Sequence, residues 1–174
     1  MILKEVNVLN IRMLEEKDAE PYRSLRLAAL KESPEAFLMT YDEEIRKEDP
    51  IANIAARLGK SDVFTFGAFV GEELAAVTTL ELESPIKISH KGNILAMYVA
   101  KDHRGTRLGQ KLLEAVMEKV KERGLEQLQL SVIEENISAR RLYESVGFQT
   151  YSIEKQAFKL GERYWNEYNM VKFL

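Results

Sequence analysis

The chain has 174 residues, of which 45% are hydrophobic and 30% charged, with nine glycines and four prolines, enough for one domain with its own core. It contains no cysteine, which excludes disulfides, thiolate metal sites and a cysteine nucleophile, and its net charge of −3 with scattered bases leaves no footprint for nucleic acid. The first residues, Met1 to Val6, lack a basic segment followed by an apolar run, and no stretch reaches the roughly 20 apolar residues of a membrane span, so a cytoplasmic protein without membrane contact is expected.

In chain order, Asn10 to Leu14 reads as a short strand, and Asp18 as the cap of a helix with Glu20 and Pro21 in its first turn. Ala19, Tyr22, Leu25 and Ala29 give that helix an apolar stripe. A second helical region runs from Glu43 to Leu58 and stops at Gly59. Between Lys31 and Pro50, seven acids (Glu32, Glu35, Asp42, Glu43, Glu44, Glu48, Asp49) outnumber three bases. That excess reads either as a solvated helix face or as a wall for a cationic substrate.

Val63 to Val70 and Leu74 to Leu82 are rich in β-branched and aromatic residues and are joined by Gly71-Glu72-Glu73, a hairpin. After a loop from Ser84 to Lys91, the run Ile94 to Val99 is almost wholly apolar, as a strand covered on both faces requires. Leu108, Leu112, Leu113, Val116 and Val120 then repeat at helical spacing before Gly124, and Leu128, Leu130 and Val132 alternate as a strand. A helix from Asn136 to Val146 ends at Gly147, and Thr150 to Leu160 with Tyr164 to Leu174 close the chain as a hairpin about Gly161-Glu162. The sum is one mixed α/β domain spanning residues 1–174, without repeat or linker.

The segment from Val99 to Gly109 joins an apolar strand to an amphipathic helix. Peptide N–H groups at such a helix start are unpaired, and the positive end of the helix dipole lies with them, so an anion is favoured there. Gly105 and Gly109 carry no side chain to block approach, and Arg104 and Arg107 add cationic donors. The chemistry suits a pyrophosphate. No Gly-Lys-Ser/Thr follows and the G-x-G-x-x-G spacing is absent, which counts against a triphosphate or nicotinamide ligand.

This loop resembles the acyl-coenzyme A loop R/Q-x-x-G-x-G/A of the GNAT superfamily of N-acetyltransferases. Arg104-Gly-Thr-Arg-Leu-Gly109 matches its first and last positions and departs at the central glycine, replaced by Arg107, whose N–H remains available if the backbone is helical there. Asn136-Ile-Ser-Ala-Arg-Arg-Leu-Tyr-Glu-Ser-Val-Gly-Phe148 resembles the family's second signature, N-x-x-A-x-x-x-Y-x-x-x-G-F, at all five positions. Asn136 and Tyr143 share one helix face about 10 Å apart. Without the resemblance, the same residues read as a helix cap and a core stripe through Ala139, Leu142 and Val146.

The resemblance implies a GNAT fold, α/β (α+β), with a central mixed, mostly antiparallel twisted sheet of about seven strands flanked by helices. It implies acetyl transfer from acetyl-CoA to a primary amine by direct attack in a ternary complex, without metal, and allows a homodimer. Acetyl-CoA would be held by Met97, Tyr98 and Val99, by Arg104, Gly105, Thr106, Arg107, Leu108, Gly109 and Gln110, and by Asn136, Ala139, Arg140 and Tyr143. Tyr143 would also be the general acid toward the leaving thiolate. For the base, Glu81, Glu134, His90 or water stand as candidates. Two other readings stay open, a non-catalytic acyl-CoA-sensing module of the same fold and a nucleotide-binding domain using the same loop; for the acceptor, a small cationic amine is favoured over a protein.

Overall fold

Strand-forming residues cluster in seven segments of the chain, and in the computed structural model, which describes residues 8–174, these form one sheet. They are β1 (Leu9–Met13), β2 (Val63–Val70), β3 (Glu73–Leu82), β4 (Lys91–Val99), β5 (Gln127–Ile133), β6 (Gln149–Leu160) and β7 (Arg163–Phe173), in the order β1-β2-β3-β4-β5-β7-β6. Only β4 and β5 pair in parallel; every other neighbouring pair is antiparallel. Five α-helices flank the sheet: α1 (Ala19–Glu32), α2 (Tyr41–Ile45), α3 (Pro50–Leu58), α4 (Leu108–Glu122) and α5 (Ile137–Ser145). The mixed, mostly antiparallel seven-stranded architecture expected from the family resemblance is the one found. The expectation drawn from Met1 to Val6 lies outside the described residues.

Each face of the sheet is closed by a different helix pair. On one face the stripe Leu112, Leu113, Val116 and Val120 of α4, with Tyr143 of α5, packs on Phe64, Phe66, Leu80, Ile94, Leu128, Leu130 and Met170. On the other, Tyr22, Leu25 and Ala29 of α1 and Leu58 of α3 pack on Phe69, Leu74, Val77 and Tyr98. Burial on both faces explains why β2 and β3 read as continuous apolar runs.

Two local expectations are corrected. The region from Glu43 to Leu58 is two helices, because Pro50 lacks the amide donor that a continuous helix needs and disfavours helical backbone at the residue before it. Asp49 takes φ +44°, Pro50 opens α3, and Thr40 caps α2 by accepting from the Glu43 N–H. Asp18 does not cap α1 through its side chain. Its carboxylate instead accepts two bonds from the Arg12 guanidinium, at 2.7 and 2.8 Å, and one from the Glu15 N–H at 2.8 Å. Arg12 outcompetes the weaker helix amides, and the pairing holds the Asp18 carboxyl below the ordinary carboxylate range.

One irregularity positions the site. β4 pairs with β5 only over Lys91 to Asn93, against Gln127 to Gln129. β3 stays on β4 through Val99, but its register slips between Val77 and Thr79, opposite the stretch of β4 where Ala96 takes φ +53°. This is a β-bulge, one extra residue that bends the strand. Beyond Asn93, β4 leans away while β5 remains paired with β7 over its whole length, so the sheet opens in a wedge.

Candidate active site

The wedge leads to the loop between β4 and α4. Lys101–His103 form one 3-10 turn, after which Arg104 is extended, Gly105 takes φ +76° and Arg107 takes φ +63°, ψ 17° as the residue before α4. The Arg104 N–H donates to Lys101 O, and the first helical bond runs from Lys111 to Arg107 O. Between them, the N–H groups of Gly105 and of Arg107 through Gln110 have no acceptor among the described residues. They sit at the positive end of a 15-residue helix.

Arg107 is therefore left-handed, not a residue of the right-handed helix, a backbone that glycine adopts freely and that costs another residue about 1 kcal/mol. The N–H survives the substitution; the strain is its consequence. Gly105 needs its positive φ, and a side chain there would meet nothing within 4 Å. Gly109 lines the first cleft, and a Cβ on it would lie 2.9 Å from Leu142 Cδ2, so the missing side chain also seats α4 against α5.

Arg104 lines the first cleft with its guanidinium already engaged. Its Nε donates to Val99 O at 3.1 Å, its terminal nitrogen reaches Glu32 Oε2 at 3.3 Å, and the guanidinium lies 5.6 Å from the Tyr98 ring. Tyr98 donates its hydroxyl to the same Glu32 oxygen at 2.6 Å. Burial first, and then the Glu32 carboxylate, push that phenol up to about 12. The Tyr98 side chain thus packs on the α1 face, and the residue also lines the cleft. Arg107 forms no ion pair among the described residues, Thr106 bonds its hydroxyl to His103 O, and Gln110 reaches Glu114 at 3.1 Å.

On α5 the modest reading of each residue holds alongside its place at the cleft. Asn136 caps the helix, its side-chain oxygen accepting from the Ala139 N–H at 3.2 Å. Tyr143 is 6% exposed and meets the Phe148 ring edge-on at 5.9 Å. Its hydroxyl has no hydrogen-bond partner among the described residues, and burial raises its pKa, so it stays protonated. Arg140 turns away: its guanidinium lies 4.0 Å from the Tyr168 ring and donates to Glu134 O at 3.2 Å, and it lines neither cleft. The arginine placed with the cofactor-binding residues is a packing residue of β7, drawn there by the tyrosine face and a carbonyl.

Two adjoining clefts result. The first, about 540 Å³, is bounded by Met97 to Val99, by His103 to Gly105 and Arg107 to Gln110 but not by Thr106, by Glu135, Asn136, Ser138, Ala139 and Leu142, and by Ser33 and Glu35 to Phe37. The second, about 310 Å³, fills the wedge between Asn93 to Met97 and Gln129 to Ile133, and is closed by Tyr143, Tyr151 and Glu167. Ala36, Phe37, Met97, Asn136 and Ala139 border both. A long ligand can therefore lie with an anionic group on the α4 amides and its far end beside the Tyr143 phenol.

None of the three candidate bases lines either cleft. Glu81 is paired with Arg57 at 2.8 Å and sits opposite Asn93, at the closed end of the wedge, where His90 also lies. Glu134 accepts from Asn166 at 2.6 Å and Tyr168 at 3.1 Å, bonds that lower its pKa. The acidic stretch is likewise partly structural: Glu43 completes the α2 cap, and buried Glu44 bridges Arg26 at 2.9 Å and Lys47 at 3.0 Å. Glu35 alone of that stretch lines a cleft. The residue that sequence reasoning missed is Glu167, since an acid in the run Tyr164 to Met170 shows its position only once the strand register is known.

Among the described residues there is no group of three or more His, Asp or Glu side chains placed to hold a metal, and no helix long and apolar enough to cross a membrane. Residues 15–148 match the model of the acetyltransferase (GNAT) family. The chain is 29% identical over 139 residues to a mycothiol acetyltransferase of Thermobispora bispora, covering 79% of this chain and 45% of that one, so it spans less than half of that relative. Its fold is similar to an acetyltransferase of the GNAT family from Streptococcus pneumoniae (TM-score 0.78, 23% identity, 96% of this chain and 100% of that one). It is also similar to yncA of Salmonella typhimurium, solved with its cofactor acetyl-CoA (TM-score 0.79, 19% identity, 96% and 94%). With the family model covering most of the chain and both signature helices at one wedge, the chain belongs to the GNAT acetyltransferase family.

Proposed function

We propose that the protein transfers the acetyl group of acetyl-CoA to the primary amine of a small cationic molecule, by direct attack within a ternary complex. The observation that carries the reading is the set of unpaired N–H groups at Gly105 and Arg107 to Gln110, at the positive end of α4, opening into a cleft that continues to an unpartnered buried phenol. Oriented amides and a helix dipole suit a diphosphate, and the shape of the wedge suits an extended arm with a reactive end. The co-substrate supplies an activated acetyl thioester; the chain's residues supply placement and proton control.

In this reading the amides at 105 and 107 to 110 hold the diphosphate, with Arg107 adding charge. Beyond Asn93 the β5-facing edge of β4 has no strand partner, and the peptide groups of Met97 to Val99 line the way between the clefts, where they would orient the extended arm and polarise the carbonyl. Holding two reactants in line is itself worth several orders of magnitude. The Tyr143 hydroxyl, kept protonated by burial, donates its proton toward the departing sulfur. Glu35 borders the first cleft, and its charge favours a cationic acceptor.

The test is free-thiol release from acetyl-CoA against a panel of polyamines, amino acids, aminoglycosides and lysine peptides. Turnover with a small polycationic amine is expected. Turnover confined to peptides would overturn the acceptor class, and binding of coenzyme A without turnover of any amine would overturn the enzymatic reading.

A further inference from the structure

The second cleft passes through the sheet from one face to the other. Leu130, Val132 and Tyr143 belong to the core under α4 and α5. Ser131 alternates with Leu130 and Val132 and so faces the opposite side, where its hydroxyl meets Asn169 at 2.7 Å. Glu167 lies two residues before Asn169 on β7 and shares that face. The wedge therefore has a phenol on one side of the sheet and a carboxylate on the other, both in its wall.

Building on the N-acetyltransferase reading above, we infer that Glu167 is the general base for the acceptor amine, which enters from the face opposite Tyr143. Glu167 forms no ion pair among the described residues, unlike Glu81. Its cross-strand neighbours are Ile133 on β5 and Glu154 on β6. Around the same cleft Tyr151, Ser131, Leu95 and Phe37 carry no charge, so Glu154 is the one charged group acting on it. Burial first, and then Glu154, raise the Glu167 carboxyl above its ordinary value, toward the range in which a base can accept a proton at neutral pH.

The protons and electrons balance as follows. The ammonium N–H bond breaks and its proton passes to the Glu167 carboxylate and on to water. The freed electron pair forms the C–N bond to the acetyl carbon, and the C–S bond breaks with its pair going to sulfur. Sulfur takes the Tyr143 proton, and the second proton of the nitrogen returns to the Tyr143 oxygen. The net products are the acetylamide, the free thiol and one proton.

Two readouts test the assignment. In the substrate-free protein, carboxyl NMR of 13C-glutamate follows the Glu167 titration, its signal identified by loss in Glu167→Gln; in parallel, kcat/KM is measured against pH for the wild type, Glu154→Gln and Glu167→Gln. Removing the Glu154 charge should lower the Glu167 midpoint and move the acid limb of kcat/KM to lower pH by the same amount. Glu167→Gln should lower kcat/KM about 100-fold near pH 7, with the deficit narrowing as pH rises and the amine deprotonates unaided, and with acetyl-CoA binding unchanged.

An acid limb that stays fixed while the Glu154→Gln midpoint moves would assign that limb to the acceptor's own ammonium and overturn the proposal. So would a Glu167→Gln enzyme that changes only the acceptor KM. Should Glu167→Gln not fold, the acid limb of kcat/KM in the surface variant Glu154→Gln still decides, a shift to lower pH supporting the assignment and a fixed limb overturning it. Absence of wild-type turnover with every amine would instead remove the transfer reading itself, which is distinguishable from normal turnover with an unmoved limb.

Discussion

Replacing Tyr143 with Phe removes one oxygen atom and leaves the ring where it is. That hydroxyl has no protein partner among the described residues, and the edge-on contact with Phe148 at 5.9 Å depends on the ring alone. No hydrogen bond is lost on folding, so the melting temperature should stay within about 2 °C of the wild type, the shift expected for about 0.5 kcal/mol in a domain of this size. The catalytic effect should be much larger. A positioned general acid contributes about 10²- to 10⁴-fold, so kcat should fall by at least about 100-fold, equivalent to roughly 3 kcal/mol of barrier. The assay is thiol release at saturating acetyl-CoA and acceptor, with the Kd of acetyl-CoA measured by calorimetry on the same samples. The sign of the pH dependence follows from burial: a phenol raised above its ordinary value stays protonated as pH rises, so Tyr143 should cause no loss of kcat up to pH 10 in the wild type. A Tyr143→Phe enzyme within about threefold of wild-type kcat would refute the proton-donor role.

Three further predictions concern the frame around the site. Gly109→Ala forces its Cβ to within 2.9 Å of Leu142 Cδ2, and should destabilise the chain by about 1 kcal/mol and weaken acetyl-CoA binding; adding Leu142→Ala should restore the binding, as denaturant melts and calorimetry would read. Glu44→Gln leaves Arg26 and Lys47 without their buried partner, and should cost about 3 kcal/mol in urea unfolding while leaving the acceptor KM unchanged. The Arg12–Asp18 pair sets an acid limit. Because the folded Asp18 carboxyl titrates below its ordinary value, its contribution is fully present above about pH 4 and drains as pH falls through the depressed pKa. The wild-type melting temperature should therefore fall more steeply than that of Asp18→Asn between pH 4 and pH 2, and parallel curves would contradict the linkage.

The fold was legible where a single period governs a segment. Leu108, Leu112, Leu113, Val116 and Val120 placed α4 because one apolar stripe faces one sheet, and the continuous apolar runs of β2 and β3 follow from burial on both faces. The split at Asp49-Pro50 was written in the proline and went unused, since the apolar spacing on either side reads through it. In the site, Asn136 and Tyr143 were placed by spacing along one helix, which needs no tertiary information. Arg104 and Gly109 line the first cleft as sequence placed them and Arg140 does not, and the partners of all three, Glu32, Leu142 and Tyr168, come from elements that sequence spacing cannot bring together. Glu167 was invisible for the same reason. Its role depends on strand register across β5, β7 and β6, and on a wedge opened by a bulge at Ala96, whose left-handed backbone has no marker in an alanine.

In the proposed reaction, free peptide nitrogens at the start of α4 receive the diphosphate of coenzyme A. The direct measurement is a 15N–1H titration of the labelled protein with coenzyme A. The largest downfield amide-proton shifts should fall on Gly105 and on Arg107 through Gln110, with Arg104, whose N–H already bonds to Lys101 O, moving less. Saturable binding that leaves those amides unmoved, or the absence of binding, would contradict it.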